Sequence, residues 1–139
     1  MIAAILASAF PSAFQDGFES GSLDAWGDTR GKPEIVAEDP YEGKRCVKFT
    51  AKPGPGAGAH LVRWFMPGTD RIAVRWAVKF AEDFDQGNHM HLCAVGGNRI
   101  DNKWSSMGKA GLRPNGTDFF VTNLEPWSDW GREPKPGSG

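Results

Sequence analysis

Arg71-Ile72-Ala73-Val74-Arg75-Trp76-Ala77-Val78-Lys79-Phe80 alternates large apolar residues with charged or small ones without a break. Successive side chains of an extended chain point to opposite faces. Ile72, Val74, Trp76, Val78 and Phe80 therefore share one face, and Arg71, Ala73, Arg75, Ala77 and Lys79 the other. Ten residues of period two predict a strand with Trp76 in the core. Similar runs stand at 34–37, 44–51, 59–65, 89–95, 108–113 and 118–124. Asp39-Pro40, Pro53-Gly54-Pro55-Gly56, Pro67-Gly68, Gly96-Gly97 and Pro114-Asn115-Gly116 separate them. Such dipeptides mark turns because proline presets φ near −65° and glycine or asparagine accepts positive φ. No stretch keeps a 3.6-residue apolar period, and 22–26 is expected to form a single turn. The pattern predicts an all-β chain folded as an antiparallel two-sheet β-sandwich.

Composition agrees. The 139 residues suit one domain with one core. Eighteen glycines and ten prolines beside 12% aromatics favour short strands and tight turns over helices. Sixteen Lys and Arg against 17 Asp and Glu leave a net charge of −1, which argues against a general nucleic-acid or anionic-membrane binder.

Residues 1–13 are apolar or small and uncharged, and Ala7-Ser8-Ala9 and Pro11-Ser12-Ala13 offer the small residues of a signal-peptidase site. The leader predicts a secreted or periplasmic protein, although the run is short and lacks a basic start. No later stretch approaches the roughly 20 apolar residues of a membrane span. The expected division is a signal peptide over 1–13, a β-sandwich over 14–125 and a proline- and glycine-rich tail over 126–139. Because a proline-rich connector normally leads into another strand, the sandwich is expected to be incomplete, the alternative being a small complete sandwich with a disordered tail. Cys46 and Cys93 lie in separate strand-like runs and pair only if those strands are neighbours.

The chemistry-bearing residues gather on the faces opposite the apolar ones. In the run from His89, Met90, Leu92 and Ala94 are expected inward and His89, His91 and Cys93 outward. In the run from Gly108, Ala110 and Leu112 are expected inward and Lys109 and Arg113 outward. Were these strands neighbours of 71–80, Arg75, Lys79, His89, His91, Lys109 and Arg113 would form a basic field suited to a carboxylated ligand. Arginine grips a carboxylate with two parallel hydrogen bonds, lysine adds a point charge, and histidine exchanges protons near neutral pH. A solvated outer face is the plainer alternative.

Other chemistries find less support. His89-Met90-His91 lacks the nearby carboxylate that a cupin-type metal site needs, and His60 is the only other histidine. No Gly-x-Ser-x-Gly elbow occurs, and the glycines of 53–58 alternate with proline instead of opening a phosphate-binding helix. Six tryptophans invite sugar stacking. Trp26 is expected at the edge of the core, whereas Trp104, Trp127 and Trp130 lie in loop-like contexts, one of them a candidate ligand wall.

Phe14-Gln15-Asp16-Gly17-Phe18-Glu19-Ser20-Gly21-Ser22-Leu23-Asp24-Ala25-Trp26 resembles the opening strand of secreted concanavalin A-like jelly-roll domains. Val74-Arg75-Trp76-Ala77-Val78-Lys79-Phe80-Ala81-Glu82-Asp83-Phe84-Asp85 is similar to a stretch of jelly-roll polysaccharide lyases acting on alginate or glucuronan. The resemblance covers residues 14 to about 124 and implies a concave sheet holding an extended sugar chain, with β-elimination at a uronic acid. Elimination needs a group that neutralises the carboxylate, a base for the C5 proton and an acid for the leaving oxygen. On matching strands Arg113 or Arg75 would neutralise and His91 or Lys109 would take the proton, with Lys79, His89, Trp104 and Trp127 binding sugar. Such lyases usually place a tyrosine in the site, and here the only one, Tyr41, sits in a turn. The resemblance also admits a structural calcium near Asp16 and Glu19, and calls for no other cofactor. The expected partner is thus a polysaccharide, acidic if the lyase likeness extends to substrate. A non-catalytic carbohydrate-binding module and a β-sandwich for protein contacts are the competing readings.

Overall fold

The structure, a computed structural model, describes residues 14–50, 58–85 and 90–125. Among these the regular structure is all β, in six short strands and no helix: β1 (Asp28–Arg30), β2 (Glu34–Val36), β3 (Cys46–Lys48), β4 (His60–Val62), β5 (Cys93–Asn98) and β6 (Phe119–Leu124). They pair antiparallel as β1 with β4, β2 with β3 and β5 with β6, giving three two-stranded sheets. The chain divides into two compact units, residues 1–77 and 78–139.

In the first unit, β2 and β3 match their half-buried apolar positions, Ile35 opposite Val47 and Val36 opposite Cys46. Glu34 faces Lys48, an opposite-charge pair of the kind that favours one register. β1 is polar and only three residues long, so its strand character comes from β4, against which Asp28, Thr29 and Arg30 pair with Val62, Leu61 and His60. The Gly27 amide extends that ladder by donating to the Val62 carbonyl at 2.8 Å. Trp26 is half-buried between two aromatic rings. Phe14 meets its ring edge-on at 5.1 Å, Phe18 stacks at 6.3 Å, and its indole N–H donates to Asp16 Oδ2 at 2.8 Å. The turn expected over 22–26 closes through the Trp26 amide on the Leu23 carbonyl, 2.9 Å.

A second clamp joins residues distant in sequence. Glu19 Oε1 accepts the backbone amides of Lys44 at 2.7 Å and Arg45 at 2.9 Å, tying the N-terminal segment to the approach of β3. These amide donors, the Lys44 one foremost, hold the Glu19 carboxyl below its ordinary pKa.

In the second unit, β5 and β6 form the longest ladder, six pairs from Cys93 opposite Leu124 to Asn98 opposite Phe119. Gly96-Gly97, expected as a turn, lies inside β5. A Cβ on Gly96 would stand 2.8 Å from the Phe120 carbonyl oxygen, so the glycine permits close approach of two backbones there.

Three strand expectations are corrected. Residues 108–113 form no strand: successive turn bonds run from Met107 N to Trp104 O, Lys109 N to Ser106 O and Leu112 N to Lys109 O, and Gly108 and Gly111 take φ of +73° and +76°. Positive φ at both glycines breaks the extended path that alternation alone suggested. The 89–95 run becomes a strand only at Cys93; Met90 and Leu92 are half-buried and His91 exposed as expected, whereas Cys93 is half-buried and Ala94 exposed, the reverse of the expectation for those two. Residues 71–80 join no ladder among the described residues, and Trp76, expected in the core, is 45% exposed. No described side chain is fully buried.

Two outcomes follow from these contacts. Gly96→Val should destabilise the β5–β6 hairpin by roughly 0.5–3 kcal/mol, read as faster amide exchange along both strands. For Glu19, a lowered folded pKa means stability that is present above the unfolded value and lost as pH falls through the folded one. Thermal scans from neutral to acid pH should therefore show an acid-side loss in the wild type that shrinks in Glu19→Gln, whose stability is already reduced at neutral pH.

Candidate functional site

The β5–β6 ladder positions a histidine–carboxylate pair in the second unit. Pairing continues past β5 through the Leu92 amide, which donates to the Leu124 carbonyl at 3.0 Å. This brings His91, just before β5, against Glu125, the first residue after β6. His91 Nδ1 lies 2.6 Å from Glu125 Oε1. The Glu125 side chain is 26% exposed and that of His91 73% exposed, so a mostly covered carboxylate holds an imidazole that reaches solvent. A carboxylate only accepts, so the proton sits on Nδ1 and the basic lone pair of the neutral ring falls on Nε2. This is the geometry of a general base oriented by an acid.

The opposite end of the hairpin is closed by residues 99–118. Asn98 Oδ1 accepts from the Ser106 amide at 2.9 Å and the Ser105 hydroxyl at 3.3 Å, and that hydroxyl also lies 2.6 Å from the Asp118 carbonyl. Arg99 and Asp101 form a two-pronged pair at 2.7 and 2.5 Å, which lowers the aspartate pKa and raises that of the arginine. Within this loop the Lys109 ammonium lies 5.9 Å from the centre of the Phe119 ring, and Lys103 lies 5.7 Å from that of Trp104. Trp104 is half-buried and offers its face first to that cation.

Comparison with known protein families, curated proteins and solved structures finds no match to this chain. The site therefore rests on its own geometry.

Of the sequence-derived candidates, His91 gains a carboxylate partner. Lys109 opens the turn that closes through Leu112 and Arg113 follows it, so neither lies on a strand beside His91. Lys109 stands at the Phe119 end of β6 and His91 beyond the Leu124 end; six residues of ladder span roughly 17 Å. At that separation the two do not share one proton. Arg113 is exposed. Arg75 belongs to the first unit and Lys79 to the second, both on the exposed stretch 71–80. His89, Trp127 and Trp130 lie outside the described residues, as do the leader 1–13 and the tail 126–139.

The calcium expectation meets a geometry that does not fit it. Asp16 Oδ1 and Oδ2 accept from the Phe18 amide and the Trp26 indole, and Glu19 Oε1 accepts from two further amides, so these oxygens face separate donors. Among the described residues no group of three or more His, Cys, Asp and Glu gathers around a common point. Cys46 and Cys93 are both free thiols, and burial pushes the Cys93 thiol pKa up.

Glu125 is the site residue that pattern reading missed. It follows the last strand as a lone acid, with no periodicity to mark it; only the β5–β6 register reveals its neighbour. In alkaline buffer, nitrogen-15 shifts of the His91 ring should report a proton on Nδ1, and Glu125→Ala should move it toward Nε2. A wild-type ring protonated on Nε2 would contradict the assignment.

Proposed function

We propose that this chain is an exported polysaccharide-recognising domain of the jelly-roll, concanavalin A-like sandwich class, derived from a uronate-specific polysaccharide lyase, with His91 as proton acceptor. The observation that carries the reading is the 2.6 Å contact from His91 Nδ1 to the largely covered Glu125. The all-β antiparallel pairing is compatible with a sandwich, and the small apolar leader supports export.

In β-elimination, His91 Nε2 removes the proton on C5 of a uronic acid. The electrons of that C–H bond form the C4–C5 double bond as the bond from C4 to the glycosidic oxygen breaks, and the departing oxygen takes up a proton. Glu125 stabilises the imidazolium that forms, by the same contact that orients the neutral ring. A cation on the uronate carboxylate makes the C5 proton more acidic. Arg113, in the same unit as His91, is the guanidinium candidate for that role, and Lys109 and Lys79 would bind carboxylates of other sugars along the chain.

Purified chain incubated with alginate or glucuronan should generate the conjugated unsaturated uronate, followed by its ultraviolet absorbance, and should generate none from a neutral glucan. His91→Ala should slow the reaction by roughly 10²–10⁴-fold, with Glu125→Ala intermediate. Product formation undiminished in His91→Ala would remove the histidine from the mechanism.

A further inference from the structure

Asn115-Gly116-Thr117 leads into β6, and residues 111–117 are exposed at every position. Asn115 Oδ1 accepts both the Thr117 amide at 2.9 Å and the Thr117 hydroxyl at 2.8 Å. The ring closed by the amide bond contains Asn115 Cγ and Gly116 N, so the side chain is folded back along the peptide that follows it. Gly116 takes a φ of +88°, and a Cβ placed on it would meet nothing within 4 Å. The main chain there has the backbone freedom of glycine and open space to bend into.

We propose that Asn115 is a site of spontaneous covalent modification, at which Gly116 N closes on Asn115 Cγ and expels ammonia. The Gly116 nitrogen loses its proton to hydroxide and forms a bond to Cγ. The bond from Cγ to Nδ2 breaks, and Nδ2 leaves as ammonia after taking a proton from water. Water then opens the five-membered imide at either carbonyl. Breaking the bond from Cγ to the Gly116 nitrogen gives aspartate, and breaking the original peptide bond gives isoaspartate. The two Thr117 donors favour ring closure, because negative charge develops on Oδ1 as Cγ becomes tetrahedral. The other described asparagines lack this combination. Asn102 Oδ1 accepts the Trp104 amide at 3.1 Å in the same manner, but Lys103 follows it and residue 104 has no hydroxyl to give. Asn98 and Asn123 belong to β5 and β6, where the ladder fixes the backbone. The conversion adds one negative charge to a chain of net charge −1. It needs only water and is independent of the uronate reading and of any role for His91.

The full chain, made in a host that adds no N-linked glycan because Asn115-Gly116-Thr117 also fits the acceptor pattern for one, is aged in mildly alkaline buffer and mapped by peptide mass spectrometry. The peptide holding Asn115 should accumulate aspartate and isoaspartate, the latter scored with a methyltransferase specific for isoaspartyl carboxyl groups, while Asn102 stays intact. Thr117→Val keeps the amide donor and the side-chain shape but loses the hydroxyl, and should convert about three- to tenfold more slowly. An Asn115 no more converted than Asn102, or a Thr117→Val chain converting as fast as the wild type or faster, would overturn the proposal.

Discussion

The β5–β6 register is the constraint on which the site depends. Cys93 opposite Leu124 sets the end of the ladder, and the Leu92 amide carries it one step further, bringing a histidine and a glutamate distant in sequence to 2.6 Å. Slipping the register by one residue would turn every side chain of one strand to the other face and separate the pair. The close approach at Gly96 and the Asn98–Ser105–Ser106 network at the far end hold the two strands in that alignment. Chemistry at one end of the hairpin is therefore anchored by polar packing at the other.

What stabilises the described segments is mostly local and polar. Glu19 on two amides, Asp16 on an amide and an indole, and Arg63 near the Phe14 and Phe65 rings join short pieces in the first unit. Arg63 also reaches the Ala25 carbonyl at 2.6 Å. Such contacts fix geometry, but each exposed one contributes little free energy. No side chain is fully buried among the described residues.

Much of the β character was legible in the sequence because alternation and turn residues are local signals. The strands β2, β3, β4 and β6 fall within the runs expected for them, and the turn at Leu23–Trp26 lies in the 22–26 segment expected to form one. Pairing was not legible. Asp28-Thr29-Arg30 becomes a strand only through β4, and 71–80, the most regular alternation in the chain, has no ladder among the described residues. Two glycines at positive φ turned 108–113 away from the strand that its apolar and basic residues suggested, removing Lys109 and Arg113 from the strand faces assigned to them. His91 stood out by its residue type; Glu125 did not, because its role comes entirely from a neighbour 34 positions away, as the register and the 2.6 Å contact show.

The central claim is that a uronate sits against the imidazole that Glu125 holds. Adding a short oligouronate to the isotopically labelled chain and following ring and backbone resonances tests it most directly. The account predicts saturable shifts at His91, Leu92 and Glu125, with none of comparable size from a neutral oligosaccharide. Binding that leaves those three residues unmoved, or shifts them equally with the neutral sugar, would contradict it.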